Sequence, residues 1–362
     1  MSPVREPGPG GNGATLGARF LAEIREQPAA LERLLEHDGE IARVADAVLA
    51  RNARLIRFAG HGSSDNAASF GVYAFGLLPR WTAMRDSITL TVHYGTPLDM
   101  SSSTVIGLSQ SGRTPDVVEY VLRARAAGAF AVAITNDPES ELATAADATI
   151  PLAAGTEVAV AATKTYVNTL AALALLAGHL AGRGRELADG IRRTAELMEG
   201  ATPGLERSTA KLALPFAYTG RMFVIGRGVE FATAREIALK LLETCRIAAE
   251  PLTATDLAHG PVAALDPLFP VWSIASNDGT LAAVQEAATR TREMGASLVS
   301  SGTAATRIKG AAYTVPVPKP RPALLSPLLS VVPGQLFAAA LARARGLDPD
   351  APHGLAKVTL AH

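Results

Sequence analysis

Short apolar runs that end in small residues recur along this chain, separated by stretches with apolar residues every three or four positions. Residues 20–35 follow the helical rhythm, broken early by Gln27-Pro28, and residues 41–49 form a second amphipathic stretch. The run 55–59 then meets Gly60-His61-Gly62-Ser63-Ser64, a pattern of strand, small-residue turn and helix start. A strand over 104–108 leads into Ser109-Gln110-Ser111-Gly112 and a helix over 115–127. A third strand, 129–135, follows Gly128.

The same order returns later. A strand over 222–225 ends at Gly226-Arg227-Gly228, and one over 270–275 ends at Ser276-Asn277-Asp278-Gly279. A helix then runs to Met294, and Gly295 precedes another apolar strand. Gly60 and Ser109 are 49 residues apart, Gly226 and Ser276 are 50 apart, and Ser109–Gly128 and Ser276–Gly295 both span 19. This shared ladder predicts a duplicated unit. Strands alternating with helices predict the α/β class: two tandem, doubly wound parallel-sheet domains. The expected boundaries are a disordered tail at 1–18, a first domain with an N-terminal helical arm at 19–200, a second at 201–345, and a C-terminal tail at 346–362. In such sheets ligands sit at the carboxyl ends of the strands, where both Ser/Gly loops fall.

Composition narrows the function. The 362 residues suit two domains, and 48% hydrophobic with only 5% aromatic residues predicts cores rich in Ala, Leu and Val. Lys+Arg and Asp+Glu are 34 each, so no net field draws in nucleic acid or an anionic membrane. An anionic small substrate needs a local site. Cys245 is the one cysteine, which excludes an intrachain disulfide and points to a reducing cytoplasm. Residues 1–15 are Gly/Pro-rich and polar and show no signal peptide. The most apolar run, 169–182, is too short to span a bilayer and reads as a buried helix. The seven histidines show no zinc spacing, and no nucleotide fingerprint is present, so neither a metal nor a cofactor is expected.

Ser109-Gln110-Ser111-Gly112-Arg113-Thr114 sets three hydroxyls and an amide between a strand and a helix start. Free N–H groups and the positive helix end favour an anion there, and Gly112 allows close backbone approach. Ser63 and Ser64 are placed to close the cradle. A plain N-cap cluster gives the same composition. At the matching position of the second half Ser111 becomes Asp278, which repels phosphate, so one phosphate loop is expected, in the first half. The helix 231–245 carries Glu236, Lys240 and Glu243 on its polar face, a pattern equally at home on a solvated surface.

Together these motifs resemble the SIS (sugar isomerase) domain family, in particular the isomerase half of glucosamine-6-phosphate synthase and the SIS-type glucosamine-6-phosphate deaminases. Further motifs in order are Val160-Ala161-Ala162-Thr163-Lys164, Ala238-Leu239-Lys240-Leu241-Leu242-Glu243, His259-Gly260-Pro261 and Leu355-Ala356-Lys357. The resemblance implies a sugar-phosphate substrate bound by Ser63, Ser64, Ser109, Gln110, Ser111, Thr114, Val160 and Ala161. It implies catalysis by Glu243, Lys240, His259 and Lys357. Glu243 would move the C1–C2 proton, His259 would open the ring, and Lys357 would stabilise the open-chain sugar or form an imine. It further implies a homodimer with shared active sites, His259 coming from the neighbouring subunit. Two departures stand out: His61 and Arg113 replace a usual cysteine and a usual acidic residue. Met1-Ser2 offers no glutaminase nucleophile, so glutamine-dependent synthesis is not expected. The expected reaction is conversion of glucosamine 6-phosphate to fructose 6-phosphate and ammonia. Another ketose–aldose isomerase, a deglycase of a sugar-phosphate adduct, or a non-catalytic sugar-phosphate sensor are the alternatives.

Overall fold

The structure, a computed structural model, describes residues 15–357. The helical arm is three helices: α1 (Ala18–Arg25), α2 (Gln27–Leu35) and α3 (Asp38–Arg51). The break at Gln27-Pro28 is real, since Pro28 sits in the first turn of α2, where its missing N–H costs nothing. The tail expected over 1–18 lies almost wholly outside the described residues.

The first half continues with β1 (Leu55–Ala59), α4 (Ser63–Leu77), β2 (Ala83–Arg85), α5 (Ile88–Val92), β3 (Ser103–Leu108), α6 (Pro115–Ala126), β4 (Phe130–Thr135), α7 (Glu141–Ala145) and β5 (Ala148–Pro151). Two long helices follow, α8 (Lys164–Leu180) and α9 (Gly184–Ala213). The second half holds β6 (Arg221–Gly226), α10 (Glu230–Cys245), β7 (Ala248–Thr253), β8 (Pro270–Ile274), α11 (Leu281–Glu293), β9 (Ser297–Gly302), β10 (Tyr313–Pro316), α12 (Ser326–Ser330) and α13 (Val332–Ala344).

Two five-stranded sheets result, ordered β2-β1-β3-β4-β5 and β10-β9-β8-β6-β7, with every pairing parallel. The second order is the first read backwards, so the two halves share one topology. That is the expected duplication.

Strand alternation divides the core. Phe58, Ile106, Leu108, Val132 and Ile134 face inward, into one large core with Trp272, Ile274 and Val299 of the second sheet. Their chain neighbours Ala59, Val105, Ala131 and Ala133 pack outward under α5, α6 and α7, and Val271 and Leu298 pack outward under α11. Successive side chains point to opposite faces, so each strand serves two layers. The inner layer is helical, with α4 packed on α8 and α10, and α13 packed on α9 and α10. Every residue of α8 except His179 is buried, as expected of the run 169–182.

Two expectations need correcting. The boundary at 200/201 falls inside α9, a continuous 30-residue helix. The longest apolar helical stretch is not 169–182 but Ala323–Ala344, 22 residues long and apolar enough to cross a membrane, with 94% of its most apolar window buried inside the molecule. It is core in this fold.

Candidate active site

The strand order of the first sheet reverses between β1 and β3, and ligands of such sheets sit in the crevice at the carboxyl ends of the strands at that point. The turn Gly60–Ser64 leaves β1, and the loop Ser109–Thr114 leaves β3. Between them lies a cavity of about 410 Å³ lined by Ser63, Ser64, Ser109, Gln110, Ser111 and Thr114. Val160, Glu243 and Lys357 line it as well, so α10 and the C-terminal tail reach the same space.

The loop geometry suits an anion. Gly112 has φ 64°, and a Cβ there would lie 1.9 Å from Ser140 Oγ, so only glycine fits. Thr114 is the N-cap of α6 with Pro115 following it, which turns the first-turn N–H groups toward the loop. Ser109 Oγ and Thr114 Oγ1 are 2.9 Å apart. Arg113 points away and pairs with Asp137 at 3.2 Å on the surface.

Ser63 plays another part than expected. Its hydroxyl donates to Glu236 Oε1 at 2.9 Å and accepts from Lys240 Nζ at 3.3 Å, so its proton is not free for a ligand. Glu236 also accepts from Asn66 Nδ2 at 2.8 Å. Lys240 Nζ lies 3.2 Å from Glu236 Oε1 and 2.6 Å from Glu243 Oε2, and the Lys240 and Glu236 side chains are both 0% exposed. Burial alone would depress the Lys240 ammonium, but the two carboxylates outweigh it and hold it well above the usual range. Burial raises the Glu236 carboxyl despite Lys240 and the hydrogen bonds. Lys240 therefore acts on Glu243 from behind, as a fixed positive charge, and does not line the cavity. Glu243 alone of the three opens onto it.

Lys357 reaches the cavity from the tail. Its ammonium donates to Glu157 Oε2 at 2.9 Å and to the Ala159 carbonyl at 2.7 Å. Burial works to raise the Glu157 carboxyl, but the charge and hydrogen bond of Lys357 prevail and hold it low. Thr163 N, Thr165 N and Thr165 Oγ1 also donate to Glu157. Glu157 thus ties the tail to the start of α8, a role no local pattern announced.

Two expected residues lie elsewhere. Ala161 is buried and off the cavity wall, where Val160 and Ala162 stand instead. His259 is exposed on a 3-10 turn after β7, outside the cavity of its own chain. Three titratable lining residues were not picked out as site residues from the sequence: His61, His93 and Asp116. Cys245 is a buried core residue with its thiol pushed up to about 11 by burial. Among the described residues no group of three or more His, Cys, Asp or Glu side chains could hold a metal ion.

The model of the SIS domain matches twice, at residues 49–178 and 216–344. The chain belongs to the SIS domain family. The two matches coincide with the two sheets. A glutamine–fructose-6-phosphate aminotransferase of Gloeobacter violaceus is 36% identical over 361 residues, covering 93% of this chain and 58% of that protein. The chain thus spans little more than half the length of such relatives. A provisionally assigned phosphosugar isomerase from Silicibacter pomeroyi superposes with TM-score 0.82 at 32% identity, covering 91% of this chain and 99% of that one. A glucosamine-6-phosphate deaminase of Thermotoga maritima shares the fold, with TM-score 0.76 at 22% identity over 95% and 100% of the two chains.

Proposed function

We propose that this SIS protein is an enzyme acting on an aminosugar 6-phosphate, converting glucosamine 6-phosphate to fructose 6-phosphate and ammonia. The observation that carries the proposal is one cavity lined at once by the anion loop Ser109–Thr114, by Glu243 and by Lys357. The loop would hold the phosphate through Ser64, Ser109, Gln110, Ser111 and Thr114. Glu243 would take the C2 proton of the open-chain sugar and return it at C1, as a positioned carboxylate can. Lys357 would steady the developing oxygen charge at the open-chain carbonyl. The names of the SIS relatives, an aminotransferase of fructose 6-phosphate and a deaminase of glucosamine 6-phosphate, support this substrate class.

His259 supports a shared site. It is exposed and lies outside its own cavity, so in this reading it enters the cavity of a second subunit in a symmetric homodimer.

A second reading has its own observation. A cavity of about 370 Å³, lined by Leu242, Arg246, His353 and Leu355, also contains Glu243 and so adjoins the first. It offers room for a substituent on the substrate nitrogen, as in an amino-acid adduct of a sugar phosphate. The purified chain should be incubated with glucosamine 6-phosphate, fructose 6-phosphate and fructosyl-amine 6-phosphates. Ammonia and fructose 6-phosphate from the first compound support the proposal. An amino acid released only from the adducts supports the second reading. No turnover of any compound refutes both.

A further inference from the structure

Amine release needs more than the exchange of a proton between C1 and C2. Once the substrate is a C2 imine, a water must be deprotonated as it attacks, and the nitrogen must be protonated as it leaves. The cavity holds one pair suited to both.

His61 lies in the turn after β1 and Asp116 in the first turn of α6, and both line the cavity. His61 Nε2 and Asp116 Oδ2 are 2.8 Å apart, with the side chains 54% and 13% exposed. Asp116 Oδ1 is buried and has no hydrogen-bond partner. Among the described residues, His61 is therefore the one group that satisfies this carboxylate. An ionised carboxylate only accepts, so the Nε2 hydrogen points at Asp116 and Nδ1 is left free. An imidazole oriented by a third group is the recurring form of a side chain that moves protons.

The other titratable groups at the cavity are differently placed. Glu243 Oε2 is held by Lys240 at 2.6 Å, and Lys357 Nζ is held by Glu157 at 2.9 Å. His93 is exposed, and among the described residues no carboxylate orients it. His61 alone combines an open nitrogen with a fixed orientation.

We propose that His61, oriented by Asp116, is the acid–base catalyst of amine release. The proposal rests on the deaminase reading above. With the C2 imine protonated, water adds its oxygen to the iminium carbon while one of its protons passes to His61 Nδ1, giving a neutral carbinolamine. That proton then moves to the nitrogen. The C2–N bond breaks, its electron pair leaves with ammonia, the carbonyl forms, and His61 takes up the hydroxyl proton. Ammonia collects that proton, so the iminium and water become ketone and ammonium with no other reactant. Asp116 is a positioning residue and touches no substrate.

The test separates the two steps in the full-length chain. Glucosamine 6-phosphate deuterated at C2 is supplied, and both washout of the label and ammonia are followed. His61→Gln keeps a donor for Asp116 but cannot carry a proton. It should cut ammonia release by about 10²-fold or more and washout far less. Asp116→Asn should show the same split in weaker form, about tenfold on ammonia release, near the lower end of what such catalysis supplies. Equal losses in both readouts for both variants, or wild-type ammonia release in His61→Gln, would overturn the proposal. A wild-type chain that washes out label yet releases no ammonia would overturn the deaminase reading itself, and this inference with it.

Discussion

Lys240→Met replaces a buried ammonium by a side chain of similar length and no charge. In the native chain that ammonium stands between Glu243 Oε2 at 2.6 Å and Glu236 Oε1 at 3.2 Å. Glu243 can turn to the cavity and its water. Glu236 cannot, because it is fully buried and keeps only the Ser63 and Asn66 hydrogen bonds. Stranding one member of a buried ion pair costs about 3–5 kcal/mol. Two neutral donors remain on Glu236, so the lower end, about 3 kcal/mol, is expected. Burial already raises the Glu236 carboxyl in the native chain. With a folded-state value above the unfolded one, ionisation of this group opposes folding, and the opposition fades as pH falls through the folded value. The deficit of the variant should therefore be largest at alkaline pH and shrink as the pH falls through the raised folded value of Glu236. Urea denaturation across that range measures it. Adding Glu236→Gln should recover much of the loss, since it removes the stranded charge. A cost below about 1 kcal/mol, the range of an exposed pair, or a deficit independent of pH, would refute the view that Lys240 neutralises Glu236.

Ser111→Ala removes a hydroxyl from the anion loop and should raise KM strongly with the fold intact, a hydrogen bond to a charged group being worth about 1.5–3 kcal/mol. Ser276→Ala, in the second half, should leave KM unchanged and lower stability instead; equal KM effects would deny the division of labour between the halves. Glu243→Gln should lower kcat by about 10²–10⁴-fold while substrate binding persists, and normal C2 exchange would remove Glu243 from the mechanism. Glu157 is held low by Lys357 although burial resists, so the tail's attachment is present above the ordinary carboxylate value of 4.5 and lost as pH falls through the lower folded value. Glu157→Gln should make the tail susceptible to limited proteolysis at neutral pH, and protection equal to the native chain would count against this anchor. Mixed His259→Ala and Glu243→Gln subunits should regain activity after exchange, because one site in each mixed dimer has both residues; no recovery after proven exchange places both residues in one chain.

Much of the fold was visible in the sequence because period and punctuation agree there. β1 and β3 are apolar runs stopped by Gly60 and Ser109, β4 is an apolar run that follows Gly128, and all three fall within a residue of expectation. The edge strands β2, β5, β7 and β10 escaped notice. They are half-exposed, so they lack an apolar run, and β7 contains Pro251, which an edge position tolerates. The boundary expected at 200/201 falls inside α9, which carries Gly190, Gly200, Pro203 and Gly204 within it because packing along one face holds the helix together. The anion loop was legible because its residues are contiguous. Asp116, Glu157 and the true partner of Ser63 were not, since their meaning lies in side chains 55, 200 and 173 residues away.

The two halves show how one change reassigns a duplicated loop. Ser64 lies four residues after Gly60, which directly follows β1, and Glu230 lies four residues after the matching Gly226, where β6 ends. In the first half that position leaves a hydroxyl facing the cavity. In the second it places a carboxylate under the matching loop, where Ser276 Oγ and Ser330 Oγ donate to Oε1 at 2.5 and 2.9 Å and Thr233 Oγ1 donates to Oε2 at 2.7 Å. Burial raises this carboxyl against those hydrogen bonds, which is the expected strain of an enclosed acid with no cation beside it. Asp278, identified from the sequence as the obstacle to phosphate, turns instead to Thr280, accepting from its N–H and hydroxyl at 2.8 and 2.6 Å. The second loop therefore meets an acceptor built into its own half. Its donors are already satisfied from within the fold, and those of the first half remain available to a ligand. In the proposed reading this asymmetry, and not the Asp278 substitution alone, would assign the phosphate to the loop of the first half.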